Sequence, residues 1–215
     1  DDYRALLLPL YATSYCLYDF LLDSGWFGAA QIIIVSASSK TAVGLAFALR
    51  HDAAAPPAIG VTSARNREMV EGLGLYEAAV TYDSLKAIDA SKPAVIVDMS
   101  GDGKVLSDLH AHLGDNMRYC SNVGVTHYEA NTMGPGFIRE RSAMFFAPGH
   151  IQKRSRDWGP GVFDKKAFAF WRDAAADSRR WLKIRPAKGA AAIEAAFHRV
   201  RKGEVRPEEG VIVEL

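Results

Sequence analysis

Residues Ile32 to Gly44 read IIIVSASSKTAVG: a run of β-branched residues, a turn of small and hydroxylic residues, then helical composition. A strand, a turn and a helix in that order offer free backbone N–H groups and a positive dipole end to a phosphate. Ser38, Ser39 and Thr41 can donate hydroxyl hydrogen bonds there, and Lys40 can supply a point charge. The glycine fingerprint for dinucleotides, G-x-x-G-x-x-G, falls on Ser38, Thr41 and Gly44, so only the packing glycine is kept. Two other chemistries fail on single residues. A P-loop needs Gly before Lys-Ser/Thr, where this chain has Ser39, and an acyl-transfer Ser-x-x-Lys needs Ser where it has Ala37. An ordinary βα turn of small residues stays open as the plain alternative.

A second group narrows the ligand. About 20 residues past such a turn, an NAD site carries an acid for the ribose hydroxyls. Here the residues are Ser63, Arg65 and Arg67, with no acid before Glu68. Hydroxyls and guanidinium groups suit a 2′-phosphate, so NADP(H) is expected over NAD. The same absence of an acid argues against a methyltransferase. His127 and Tyr128, just past the fifth expected strand, are the best-placed proton donors for a hydride transfer. Cys16, Cys120 and the six histidines show no ligand-like spacing, and no metal site is expected. His110 and His112 stand two apart on one expected helix and read as solvated.

These residues need elements to position them. Strands are expected at 31–35, 58–62, 78–82, 94–98 and 117–123, with helices at 41–50, 66–73 and 104–113. That alternation implies βαβ crossovers: an α/β, Rossmann-type, doubly wound parallel sheet with helical N- and C-terminal extensions. An apolar helix is expected at 11–22, entered after Pro9. Beyond Gly136 the pattern predicts a strand at 145–148, a basic loop at 150–161, helices at 163–181 and 188–202, and a closing strand at 211–213.

Composition sets the limits. The chain has 215 residues, 49% hydrophobic and 24% charged, enough for a sizeable core and too apolar for disorder. A net charge of +1 gives no field for nucleic acid or an acidic membrane. That near-zero sum hides two parts: residues 1–136 hold nine basic and fifteen acidic side chains, and residues 137–215 hold seventeen and ten. Two cysteines are too few for a disulfide framework and read as buried thiols in a reducing compartment. Asp1-Asp2 is the wrong sign for a secretory start, and the uncharged run from Ala5 to Tyr18 is short for a membrane span. A cytoplasmic protein is expected.

The ordered motifs resemble a family. PLYATSY at Pro9–Tyr15 is similar to the helix that precedes the cofactor domain of medium-chain dehydrogenase/reductases, the zinc-independent quinone oxidoreductases above all. The turn at 33–44, the strand end at 61–65, LGLYEAAVTYD at 73–83, the strands at 95–101 and 116–124, and the tail at 195–213 follow that family's order. Residues 135–185 match it poorly. The resemblance implies a zinc-independent reductase passing hydride from NADP(H) to a carbonyl or an activated alkene of a small molecule. It implies that Thr13 approaches the nicotinamide and Ser38–Thr41 the pyrophosphate. Ser63, Arg65, Arg67 and Tyr82 would surround the 2′-phosphate and adenosine, with Ser100, Gly101, Val123, Gly124 and Thr126 along the strand ends. It divides the chain into a linking helix (1–28), a dinucleotide-binding domain (29–135) and a C-terminal extension (136–215) belonging to or returning to a catalytic domain. The family's catalytic domain precedes that helix, and this chain starts at the helix without an initiator Met. It therefore reads as a fragment or a cofactor-domain remnant, and a non-catalytic binding domain is the alternative. A homodimer is allowed for.

Overall fold

The β-branched run forms the centre of the sheet. In the computed structural model, which describes residues 1–124 and 132–215, β1 (Gln31–Val35) is buried at every position. It pairs in parallel with β2 (Ala58–Thr62) on one side and β4 (Ala94–Asp98) on the other, in the registers Ile33 to Ile59 and Ile33 to Ile96. With β3 (Ala78–Thr81), β5 (Met117–Asn122) and β6 (Ser142–Met144), the order is β3-β2-β1-β4-β5-β6, parallel throughout. This is the doubly wound Rossmann-type order, and its connections reverse direction between β1 and β4.

Side chains of β1 alternate between two apolar layers, as the pleat requires. Ile32 and Ile34 pack with Leu17 and Leu21 of α1 (Asp2–Asp23) and with Val43, Leu45 and Leu49 of α2 (Lys40–Arg50). Ile33 and Val35 pack with Leu106 and Leu109 of α4 (Gly103–Leu113). α3 (Arg67–Gly72) covers β2 and β3. Local signals set the helix ends. Ser39 caps α2, Asp102 caps α4 through the N–H groups of Lys104 and Val105, and Gly114 ends α4 at φ +50°.

The N-terminal helix is longer than the sequence pattern predicts. α1 begins at Asp2 and runs through Pro9, whose ring removes one backbone donor; the hydroxyl of Thr13 bonds to the carbonyl of Pro9 at 3.0 Å. At 22 residues it is long and apolar enough to cross a membrane, contrary to the shorter reading. Here it packs against α2 and α6 (Val162–Ser178), burying Leu7, Tyr11, Leu17 and Leu21.

The C-terminal part departs most from expectation. The segment read as a basic loop is a helix, α5 (Ala147–Trp158), with Pro148 in its first turn, where the missing N–H costs nothing. The strand expected at 145–148 ends at Met144, and Phe145 only donates its N–H to the carbonyl of Asn122. α6 stops at Ser178. A strand that was not expected, β7 (Lys183–Lys188), precedes α7 (Ala190–Arg201) and pairs in parallel with β8 (Glu209–Glu214) in a separate two-stranded sheet.

Candidate functional site

The turn after β1 lies at the carboxyl end of the sheet, where the order reverses. It is tight: Ser36 has φ +63°, and the N–H of Ser39 bonds to the carbonyl of Ser36. Its hydroxyls have definite partners. Ser38 is 9% exposed, and its Oγ accepts from Asn66 at 3.1 Å and from the Thr62 hydroxyl at 3.5 Å, tying the turn to the end of β2. The Oγ of Ser39 accepts from the N–H of Ala42 as the cap of α2. With Ala42 and Val43 bonded to Ser39, the N–H groups of Lys40 and Thr41 are the first-turn donors of α2 left for an anion. Thr41 accepts at its carbonyl from the hydroxyl of Ser14 at 2.8 Å.

The cations are placed differently from one another. Lys40 reaches away from the turn to the C-terminal segment: its Nζ donates to the carbonyls of Pro207 at 3.1 Å and Glu209 at 2.9 Å. Burial pulls its pKa down from the usual lysine value, and the carboxylates of Glu208 and Glu209 work against that fall. Arg65 is exposed at the end of β2, and its Nη2 donates to the carbonyl of Gly203 at 3.3 Å. Arg67 turns along α3 to Glu71 at 2.8 Å, with both side chains about half exposed. Ser63, at the end of β2, is half-buried. α3 and the C-terminal segment enclose a cleft of about 1010 Å³, lined by Arg65, Met69, Leu73, Trp181, Arg185 and Arg206.

At the ends of β4 and β5, the carboxylate of Asp98 organises the backbone. It is 1% exposed and accepts from the N–H and hydroxyl of Ser100, at 2.8 and 2.7 Å, and from the N–H of Gly101 at 2.9 Å. Burial raises its pKa, and these donors hold it back. Gly101 has φ +70°, and the N–H groups of Val123 and Gly124 both bond to the Asp98 carbonyl. A Cβ on Gly124 would stand 2.6 Å from the carbonyl oxygen of Met99, so that approach admits only glycine. Tyr82 is half-buried and hydrogen-bonded to Ser36; burial raises its pKa.

The fold thus gathers Ser38, Ser39, Lys40, Thr41, Ser63, Arg65, Tyr82, Ser100, Gly101, Val123 and Gly124 along one edge of the sheet. Thr13 stands elsewhere, on the wall of an apolar slot of about 280 Å³ between α1, α5 and α6. Its neighbour Ser14 is the residue of that helix that touches the turn. Thr126, His127 and Tyr128 lie outside the described residues. Asp98 and Asn66 were missed by sequence reasoning. Asp98 ends a buried strand and Asn66 precedes α3, but nothing local shows where either side chain points.

Two corrections concern titratable groups. His110, expected to be solvated, is fully buried and stacks on Phe137 at 4.5 Å between ring centres. Its Nδ1 accepts from the N–H of Ile138 at 2.9 Å, and its Nε2 has no partner among the described residues. Burial pushes its pKa down to about 4. His112 is half-buried, with Nε2 at 2.8 Å from the carbonyl of Ile88. Two members of the basic stretch of α5 are also internal. His150 and Arg154 hold Asp19 of α1 in a buried network, with His150 Nε2 at 2.6 Å and Arg154 Nη2 at 3.2 Å. Both thiols are buried, and burial lifts Cys16 to about 12. Among the described residues, no three His, Cys, Asp or Glu side chains are grouped to hold a metal ion.

A family model described as "Protein of unknown function (DUF2855)" matches residues 1–206. No curated protein sequence matches the chain. Among solved structures, it is similar to the yhdH oxidoreductase from Salmonella enterica in complex with NADP, with TM-score 0.59, 13% identity, and coverage of 96% of this chain and 61% of that one. CurA from Vibrio vulnificus in complex with NADPH gives 0.58, 13%, 93% and 61%. A mutant enoyl thioester reductase from Candida tropicalis gives 0.58, 12%, 98% and 60%. At these identities the likeness is one of fold, and the chain spans about 60% of the length of these proteins.

Proposed function

The chain belongs to the family described as Protein of unknown function (DUF2855), and we propose that it binds NADP(H) and acts as a zinc-independent oxidoreductase of the medium-chain type. The observation that carries this reading is the hydroxyl-lined turn at the point where strand order reverses, with Ser63 and Arg65 at the next strand end. The dinucleotide complexes of the similar folds support it. First-turn N–H groups of α2 and the Thr41 hydroxyl would take the pyrophosphate. Ser63 and Arg65, with Arg67 two residues on, would take the 2′-phosphate. Ser100, Gly101, Val123 and Gly124 would line the strand ends beside the adenine ribose and nicotinamide. When bound, the reduced nicotinamide supplies a hydride to a carbonyl or activated alkene of a small molecule, and His127 or Tyr128 supplies the proton. The cytoplasm is the proposed compartment.

Thermal unfolding with NADPH, NADH and S-adenosylmethionine tests this directly. A ligand at 100 times its dissociation constant adds about 2.7 kcal/mol, and the shift is expected with NADPH first. A shift with S-adenosylmethionine alone sinks the proposal. Replacing Arg65 and Arg67 together by Ala is expected to abolish the preference for NADPH over NADH; if the preference survives, the 2′-phosphate assignment is wrong. A second reading is a dinucleotide-binding part without chemistry of its own, favoured by the assigned residues among those described, which would all contact the cofactor. Tight NADPH binding with no turnover on a panel of quinones and enals would select it.

A further inference from the structure

Two cations assigned to the dinucleotide already have acceptors, and both sets of acceptors lie on one segment. Lys40 spends two of its three N–H groups on the carbonyls of Pro207 and Glu209, and Arg65 donates to that of Gly203. The residues are 167, 169 and 138 positions apart in sequence, so the contacts dock the C-terminal unit on the turn and do nothing for local structure. The same segment brings negative charge. Glu208 has a buried Oε2 with no hydrogen-bond partner among the described residues, and its carboxylate acts on the Lys40 ammonium through space. Glu209 is held by Arg199 at 3.0 Å. A diphosphate entering beside Lys40 would meet this carboxylate and compete with two carbonyls for the same N–H groups.

We propose that residues 203–209 form an internal competitor for the dinucleotide phosphates, a strap whose carbonyls occupy Lys40 and Arg65, with the Glu208 carboxylate acting on Lys40 through space, until nucleotide displaces it. This rests on the phosphate assignments made above. Linkage makes the effect reciprocal: nucleotide loosens the strap by the factor by which the strap weakens nucleotide.

Hydrogen exchange on the full chain, with and without saturating NADPH, reads the strap through the N–H groups of Glu204 and Glu209, which bond to the carbonyls of Arg199 and Arg206. Exchange at both is expected to rise about tenfold with NADPH. Glu208→Gln keeps the side chain's size, removes the competing charge and replaces no residue assigned to the cofactor; it is expected to tighten NADPH binding about tenfold. Arg65→Gln, at an exposed position, is expected to raise exchange at Glu204 with no nucleotide present. NADPH that binds while exchange at 203–209 is unchanged or slowed overturns the strap and leaves the nucleotide assignment standing. So does a Glu208→Gln chain with unaltered affinity. NADPH that binds none of the three chains overturns both.

Discussion

His110 carries the clearest consequence of burial for a single residue. With Nδ1 accepting from Ile138, the ring proton sits on Nε2, and a second proton would put a charge where, among the described residues, no carboxylate faces it. Its pKa is about 4 in the fold against 6.5 as an ordinary histidine, so the unfolded chain binds the proton first as pH falls. The stability this group contributes is complete above about pH 6.5 and is lost as pH falls toward 4, a change of about 3 kcal/mol. Denaturant titrations across that window should show the slope, and His110→Gln should flatten it. An unchanged slope in the variant would assign the acid sensitivity elsewhere. Lys40 teaches the complementary point. A lysine in a phosphate-type turn was legible as a cation, yet its partners are carbonyls from the far end of the chain.

At the scale of elements, α1 and α2 approach closely because Gly44 has no side chain. A Cβ there would lie 2.5 Å from the Ser14 hydroxyl and 2.7 Å from the Tyr11 ring. The glycine kept from the dinucleotide pattern thus packs helix to helix. Gly44→Ala should cost about 1–3 kcal/mol in overpacking. That exceeds the roughly 1 kcal/mol Ala gains over Gly within a helix. Gly72→Ala, with open space around it in α3, should be neutral or stabilising. Equal effects at the two sites in chemical denaturation would refute the packing argument. The elements that sequence patterns missed share a cause. α5 is polar and contains Gly149 and Pro148, and its order comes from docking His150 and Arg154 on Asp19. β7 carries Lys183, Arg185, Pro186 and Lys188 and is defined by its pairing with β8. No local window contains either partner.

Across the whole molecule, the split between an acidic first part and a basic second part has a structural use. Every ion pair between residues 1–136 and 137–215 among the described residues puts the acid on the first part and the base on the second. The pairs are Asp1 with Arg179, Asp19 with His150 and Arg154, Asp23 with Lys153 and Arg154, and Asp115 with Arg141. Exposed pairs are screened by salt, and the buried Asp19 network is not. The unfolding midpoint should therefore fall modestly between low salt and about 1 M NaCl, where the screening length is about 3 Å. Asp19→Ala should cost about 3 kcal/mol at any salt, by removing the buried partner of His150 and Arg154 and leaving Arg154 only its more exposed pairs with Asp23 and Asp157. A loss that disappears at high salt would show that the network is not shielded from solvent.

The strand–helix alternation, the β-branched centre at 31–35 and the charge split are all properties of the sequence alone. Propensity, pleat periodicity and composition act within a few residues or sum over many. Which groups the cations hold, whether His110 meets water, and where Thr13 stands were decided by tertiary structure alone. Those answers depend on residues 28 to 169 positions away in sequence, and a side chain's charge says nothing about which acceptor will reach it first.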